Sequence, residues 1–155
     1  MQQGFSNRNI PVLYLDGDDL RSGICADLGF SSEARLENHR RIAEIARLAA
    51  EQGLSVVVST MAPEHKDRDR VKQVLTDRLV WIYIHASLNV CMHRDPKGLY
   101  RRAQAGSILN LIDFPFDPPR PEECLHTIDT MALDIDGCSG ALTELAFFQM
   151  IDYAI

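Results

Sequence analysis

Four short apolar runs stand out along the chain: Val12–Leu15, Leu54–Ser59, Leu79–His85 and a weaker one at Leu125–Ile128. Each has the length of a strand, and helical periodicity fills the intervals between some of them. Alternating strands and helices predict an α/β fold, a parallel sheet with flanking crossover helices. The run V-L-Y-L is apolar at every position, as expected of a strand covered on both faces.

The clearest helical pattern runs from Ser32 to Gln52, with Ser31 or Ser32 as cap and Gly53 at the position after the C-cap. Its apolar stripe is Ile42, Ile45, Ala46 and Ala49, and stepping back by three and four residues reaches Asn38 and Arg35. The inward face therefore turns polar at its N-terminal end. A second helix is predicted after Pro63, a residue suited to a first turn. A third spans Leu88–Arg94, and a short basic one Arg101–Ala105. From about Ser139 to Tyr153 the chain reads as an amphipathic helix with Leu142, Leu145, Ala146 and Ile151 inward.

Composition narrows the class. The chain has 155 residues, one domain's worth, so residues 1–155 are expected to form a single domain. A net charge of −6 argues against a nucleic-acid partner, which normally calls for a basic excess. Cys25, Cys91, Cys124 and Cys138 show no C-x-x-C spacing and read as buried or free thiols of a reducing compartment. No apolar run approaches the length of a membrane span, and the N-terminus carries no apolar signal core. A soluble, cytoplasmic protein with no membrane partner is expected. The five histidines lack metal-site spacing and are read as structural or surface residues, and Tyr14, Trp81 and Tyr83 as core.

Two segments carry candidate chemistry. Asp16-Gly17-Asp18 follows the first strand directly, where open α/β sheets bind their ligands. Carboxylates there suit Mg²⁺ or a substrate hydroxyl proton, with local backbone capping as an equal alternative. Arg21 follows and can face the same crevice. The segment from Arg94 to Arg102 holds four cations in nine residues: Arg94, Lys97, Arg101 and Arg102. With Asp95, Pro96 and Gly98 it reads as a lid over a polyphosphate, or as a solvated charged helix.

In order along the chain, these pieces resemble one family. LDGDDLRSGICADLGFSSEARLENHRRI resembles the adenylylsulfate kinase stretch D-G-D-x-x-R, L-G-F-S, R-x-E-N-x-R-R. AEQGLSVVVSTMAP resembles its next helix end, strand and proline, and RDPKGLYRRAQAG its lid motif D-P-K-G-L-Y-x-x-A-x-x-G. The likeness covers about Val12 to Pro121. It implies a P-loop kinase-like fold and transfer of the ATP γ-phosphoryl group to the 3′-hydroxyl of adenylylsulfate, with Mg²⁺, in sulfate assimilation. It implies that Asp18 sits at the attacking hydroxyl and the metal, and that Lys97 reaches the phosphates from the lid. Asp16, Arg21, Arg35, Asn38 and Met61 would bind the acceptor, Phe30 would stack on its base, and Arg94, Asp95 and Arg101 would belong to the lid. A homodimer is left open.

Three departures qualify the resemblance. No G-x-x-x-x-G-K-[S/T] occurs in the chain, and only eleven residues precede Val12. The first strand and phosphate loop of the family are thus expected to be missing, and these residues alone to be inactive with ATP. The family's F-T-G-I-D is shortened to Leu111-Ile112-Asp113, which removes one aromatic of a base clamp that Phe114 or Phe116 could replace. Ala62 stands where the family has serine before proline. Alternatives are a kinase for another nucleotide, such as cytidine diphosphoramidate, or a non-catalytic nucleotide-binding module.

Overall fold

A computed structural model describes Phe5 and residues 10–108, 116–123 and 126–152. The Leu111–Asp113 stretch, Phe114, Cys124, Leu125, Tyr153 and the side chain of Ile151 lie outside the described residues. The chain divides into two compact units, Met1–Val80 and Trp81–Ile155.

In the first unit, β1 (Val12–Asp16) pairs in parallel with β2 (Ser55–Ser59), in the register Val12 to Ser55 through Asp16 to Ser59. A parallel pair needs a long crossover. Helix α1 (Gly17–Ser22) and the 20-residue α2 (Ser32–Glu51) supply it. Gly17 is required by closeness rather than by φ: a Cβ there would lie 3.0 Å from Thr60 Oγ1 and 3.3 Å from the Ser59 carbonyl. Ser31 caps α2, accepting from the Ala34 amide, and Gly53 follows the helix at φ 82°. Helix α3 (His65–Leu75) packs on α2. Leu15, Ile42 and Ala46 form the buried centre, flanked by Leu13, Leu20, Ile45, Val56 and Leu75.

Sequence expectation and structure differ at several edges. The buried face of α2 is Arg35, Asn38, His39, Ile42, Ala43 and Ala46, so Ala49 and Ile45 are only partly covered. The face has rotated toward small Ala43 as α2 approaches α3. Only Leu15 of V-L-Y-L is fully buried. Pro63 is not in a first turn: Glu64 is the N-cap of α3, and a Glu64–Asp67 capping box starts the helix one residue later.

In the second unit, β3 (Ile82–His85) pairs in parallel with β4 (His126–Asp129), in the register Ile82 to His126 through His85 to Asp129. The expected parallel pairing is thus realised as two two-stranded sheets, one in each unit. Helix α4 (Leu88–Arg94) is capped by Ser87, α5 is Leu99–Gln104, and α6 is Ile135–Asp152. The last starts four residues earlier than its apolar pattern, after an Asp134 carboxylate that accepts from the Gly137 amide. Among the described residues of this unit, Ile128 of β4 and Phe147 of α6 are the buried hydrophobics. Among the described residues, no helix is long and apolar enough to cross a membrane.

Candidate active site

The C-terminal end of β1 runs straight into α1, and Asp16 is the N-cap there. Its Oδ1 accepts from the amides of Asp18 (2.9 Å) and Asp19 (3.4 Å). That is the capping alternative the sequence left open. Asp18, in the first turn, is exposed. Mg²⁺ is commonly held by one or two carboxylates together with substrate phosphates. Asp18 fits such a donor set, and no cluster of three or more His, Cys, Asp or Glu side chains suited to a metal occurs among the described residues.

Arg21 leaves the last turn of α1 and lies over Phe30, its guanidinium carbon 4.7 Å from the ring centroid. Its Nη1 donates to the Gly29 carbonyl at 2.9 Å. Arg35, from the first turns of α2, donates from Nε to the Phe30 carbonyl at 3.0 Å and is almost wholly buried. Burial holds its guanidinium below the ordinary arginine value and the charge of Arg21 pushes the same way, while Asp67 and Glu64 oppose. Two like charges are thus gathered around one backbone turn, and the ring between them is 68% exposed. That pairing of cations with an open aromatic face suits an anionic nucleotide.

One helical turn further on, Asn38 is 2% exposed and its Oδ1 has no hydrogen-bond partner among the described residues. A buried amide oxygen left unpaired is costly and rare, and a ligand donor would satisfy it. On the β2–α3 connection the Met61 side chain is exposed, but its carbonyl is held by His39 Nε2 at 2.9 Å. The sequence reading passed over His39, whose only signal was its place beside Asn38 on the inward face.

The residues that the sequence suggests as a lid lie in the second unit. Asp95 has φ 20°, an uncommon backbone state for a residue with a side chain. Its carboxylate accepts from the Tyr100 (3.1 Å) and Arg101 (3.1 Å) amides and so caps α5. Burial pushes this acid up, but the backbone N–H groups of Arg101, Tyr100 and Leu99 outweigh it and hold it below the usual range. Arg94 is anchored rather than open to a ligand: it donates to Thr130 Oγ1 at 2.8 Å and to the Thr130 carbonyl at 2.7 Å. Thr130 in turn bonds the His85 carbonyl at the end of β3. Met92, His93, Arg94, Asp95, Tyr100, Arg101 and Gln104 line an open cavity of about 400 Å³. Lys97 is exposed on the turn between α4 and α5. Phe116 stacks on Tyr83, with ring centroids 6.2 Å apart.

A model of the family described as Adenylylsulphate kinase matches residues 1–126. The chain is similar to the adenylyl-sulfate kinase of Acaryochloris marina, 44% identical over 87% of this chain and 67% of that protein. To the adenylyl-sulfate kinase of Pseudomonas aeruginosa it is 43% identical, over 79% of this chain and 63% of the relative. The chain therefore spans about two thirds of the length of these curated relatives. Its fold matches the Mycobacterium tuberculosis APS kinase CysC, solved with AMPPNP and APS, with a TM-score of 0.82 and 31% identity over 94% of this chain and 86% of that one.

Proposed function

This chain belongs to the adenylylsulfate kinase family, and on that footing we propose that it forms the acceptor-binding and lid portions of an enzyme that phosphorylates the 3′-hydroxyl of adenylylsulfate. The observation that carries this reading is the buried, unpartnered Asn38 oxygen on the same helix face as Arg35. Beside it, Arg21 and Phe30 offer charge and a ring to an anionic nucleotide. The guanidiniums of Arg21 and Arg35 would take the phosphosulfate, and the open face of Phe30 the base. Asn38 would accept a hydrogen bond from the acceptor. Asp18 would orient the attacking hydroxyl, take its proton, and hold Mg²⁺, whose chemistry is to neutralise charge on the transferring phosphoryl group.

ATP is a different matter. The 155 residues hold no G-x-x-x-x-G-K-[S/T], so the residues present do not supply the usual cradle of backbone amides and lysine for its β- and γ-phosphates. We assign these residues the acceptor half of the chemistry and route no step through ATP on them.

The test is calorimetric binding of adenylylsulfate to the chain and to Asn38→Ala. Binding that weakens about tenfold or more in the variant supports the reading. Unchanged affinity overturns the role of Asn38. A second acceptor, a cytidine diphosphate derivative such as cytidine diphosphoramidate, is favoured by one observation: Phe116 rests on Tyr83. Equal or tighter binding of that ligand would select it, and binding of neither would leave a module of another kind.

A further inference from the structure

His39 and Asp67 are neighbouring titratable side chains buried in the first unit that the proposed chemistry does not use, at 2% and 0% exposure. His39 Nε2 lies 2.9 Å from the Met61 carbonyl. A carbonyl only accepts, so Nε2 carries the hydrogen. The other ring nitrogen, Nδ1, lies 3.6 Å from Asp67 Oδ1, and neither atom has a hydrogen-bond partner within 3.5 Å among the described residues. The ring thus lies between the Met61 carbonyl and the Asp67 carboxylate.

The surroundings agree. Asp67 Oδ2 accepts from the Glu64 amide at 3.3 Å. Burial pushes this carboxyl up, but His39, that amide and the charge of Lys66 outweigh it and lower it overall. Arg35 contributes a further positive charge toward Asp67 and Glu64 from the α2 side. The adjoining segment is held as well: Arg68 donates to the Ala62 carbonyl at 2.8 Å, and Pro63 is fully buried. The backbone of 61–63 is therefore pinned from below while the Met61 side chain projects, 60% exposed. The same turn of α2 that pins it also presents the unpartnered Asn38.

We infer that His39 is a positioning residue for the acceptor site: its Nε2–H fixes the Met61 carbonyl, and Asp67 lies against the other nitrogen of the ring. The inference rests on the acceptor-site reading above. His39 touches no substrate itself. It sets where Met61 stands relative to the helix turn that carries Asn38.

Two substitutions separate the ring's two contacts. In His39→Gln the amide nitrogen reaches the place of Nε2 and can still donate to Met61. In His39→Asn the amide reaches only the place of Nδ1, toward Asp67. Adenylylsulfate binding is measured calorimetrically on the 155-residue chain, on both variants and on Asn38→Ala. His39→Asn should bind about tenfold more weakly, and His39→Gln should recover most of that loss. Equal loss in both variants reduces His39 to a space-filling ring and overturns the inference. Wild-type affinity in His39→Asn, with binding weakened in Asn38→Ala, also overturns it but leaves the acceptor site standing. Absence of binding by the wild type removes the acceptor reading, and this inference with it. Should His39→Asn not fold, two-bond ¹H–¹⁵N spectra of the wild-type ring decide. Hydrogen on Nε2 is expected, and an Nε2 without hydrogen refutes the bond to Met61.

Discussion

Arg21 covers one face of Phe30, its guanidinium carbon 4.7 Å from the ring centroid, while the Phe30 carbonyl accepts from Arg35. Both cations of the proposed anion site are thereby tied to the residue proposed to stack on the base. The phenylalanine turn sets the spacing between charge and ring. This has a consequence for mutation: losing the ring removes a stacking surface and one of the two contacts that hold Arg21, leaving its bond to the Gly29 carbonyl.

Phe30→Ala should therefore weaken adenylylsulfate binding by roughly ten- to a hundredfold, since base–aromatic stacking is worth about 1–3 kcal/mol. Phe30→Tyr should stay close to wild type, because it keeps both the face and the backbone carbonyl. Titration calorimetry distinguishes these outcomes. A Phe30→Ala affinity within twofold of wild type would remove the ring from the site.

Much of this was legible in the sequence, and the reasons are specific. Arg35 and Asn38 could be placed on the inward face because helical spacing carries them there from Ile42. His39 could not be singled out, because its importance lies in a tertiary contact to a backbone carbonyl 22 residues away. The helix start at Glu64 was missed because the proline rule outweighed a capping box whose acidic ends look like ordinary surface charge. Arg94 reads from its cation-rich, glycine-containing segment as one residue of a lid, but the partner of its fork, Thr130, lies 36 residues away and is not legible there. In each case local pattern located the residue, and long-range pairing determined what it holds.

Asp95 makes a prediction about the lid. It caps α5 with its carboxylate while adopting positive φ. Asp95→Ala keeps the strained backbone and loses the cap. Amide hydrogen exchange at Tyr100 and Arg101 should accelerate about fivefold. The sign of the pH effect follows from its lowered pKa. The stabilisation is complete above the unfolded-state value near 3.9 and is lost as pH falls through the lower folded value. Exchange rates unchanged in Asp95→Ala would mean that the cap contributes nothing to lid order.

The N-terminal half of α2 carries a second acid-sensitive feature. Glu37 accepts from Arg40 at 2.7 and 2.8 Å and from Arg41 at 3.0 Å, while Arg41 also bridges to Asp27. The hydrogen bonds of Arg40 and Arg41 hold the Glu37 carboxyl down at about 2. A depressed folded pKa stabilises above the unfolded value and loses that contribution as pH falls. The loss should therefore run from about 4.5 down to about 2. Both partners are partly solvated, so the effect is small, below about 1 kcal/mol. Urea titrations from pH 5 to about pH 2 should show a shallower decline for Glu37→Gln than for wild type. Parallel declines would show that the arginine pair does not stabilise the fold.

The last prediction concerns the phosphoryl transfer itself. Asp18 is exposed one residue beyond the glycine that packs against Thr60, so its carboxylate is held at the end of β1 without being buried. In the proposed role, a carboxylate that takes the proton of the acceptor hydroxyl would act mainly in the transition state. The 155 residues contain no phosphate-loop motif, so ADP release with adenylylsulfate and ATP should not exceed a no-protein control. Joining a phosphate-loop strand and helix from an adenylyl-sulfate kinase relative ahead of Val12 should produce turnover. In that fusion, Asp18→Asn should lower kcat by about 10²- to 10⁴-fold, the usual range for general acid–base assistance, with little change in acceptor affinity. A loss confined to KM would make Asp18 a binding group. Turnover by the unextended chain well above the control would show that ATP is held by residues outside the motif, and the division of labour proposed for this chain would fail.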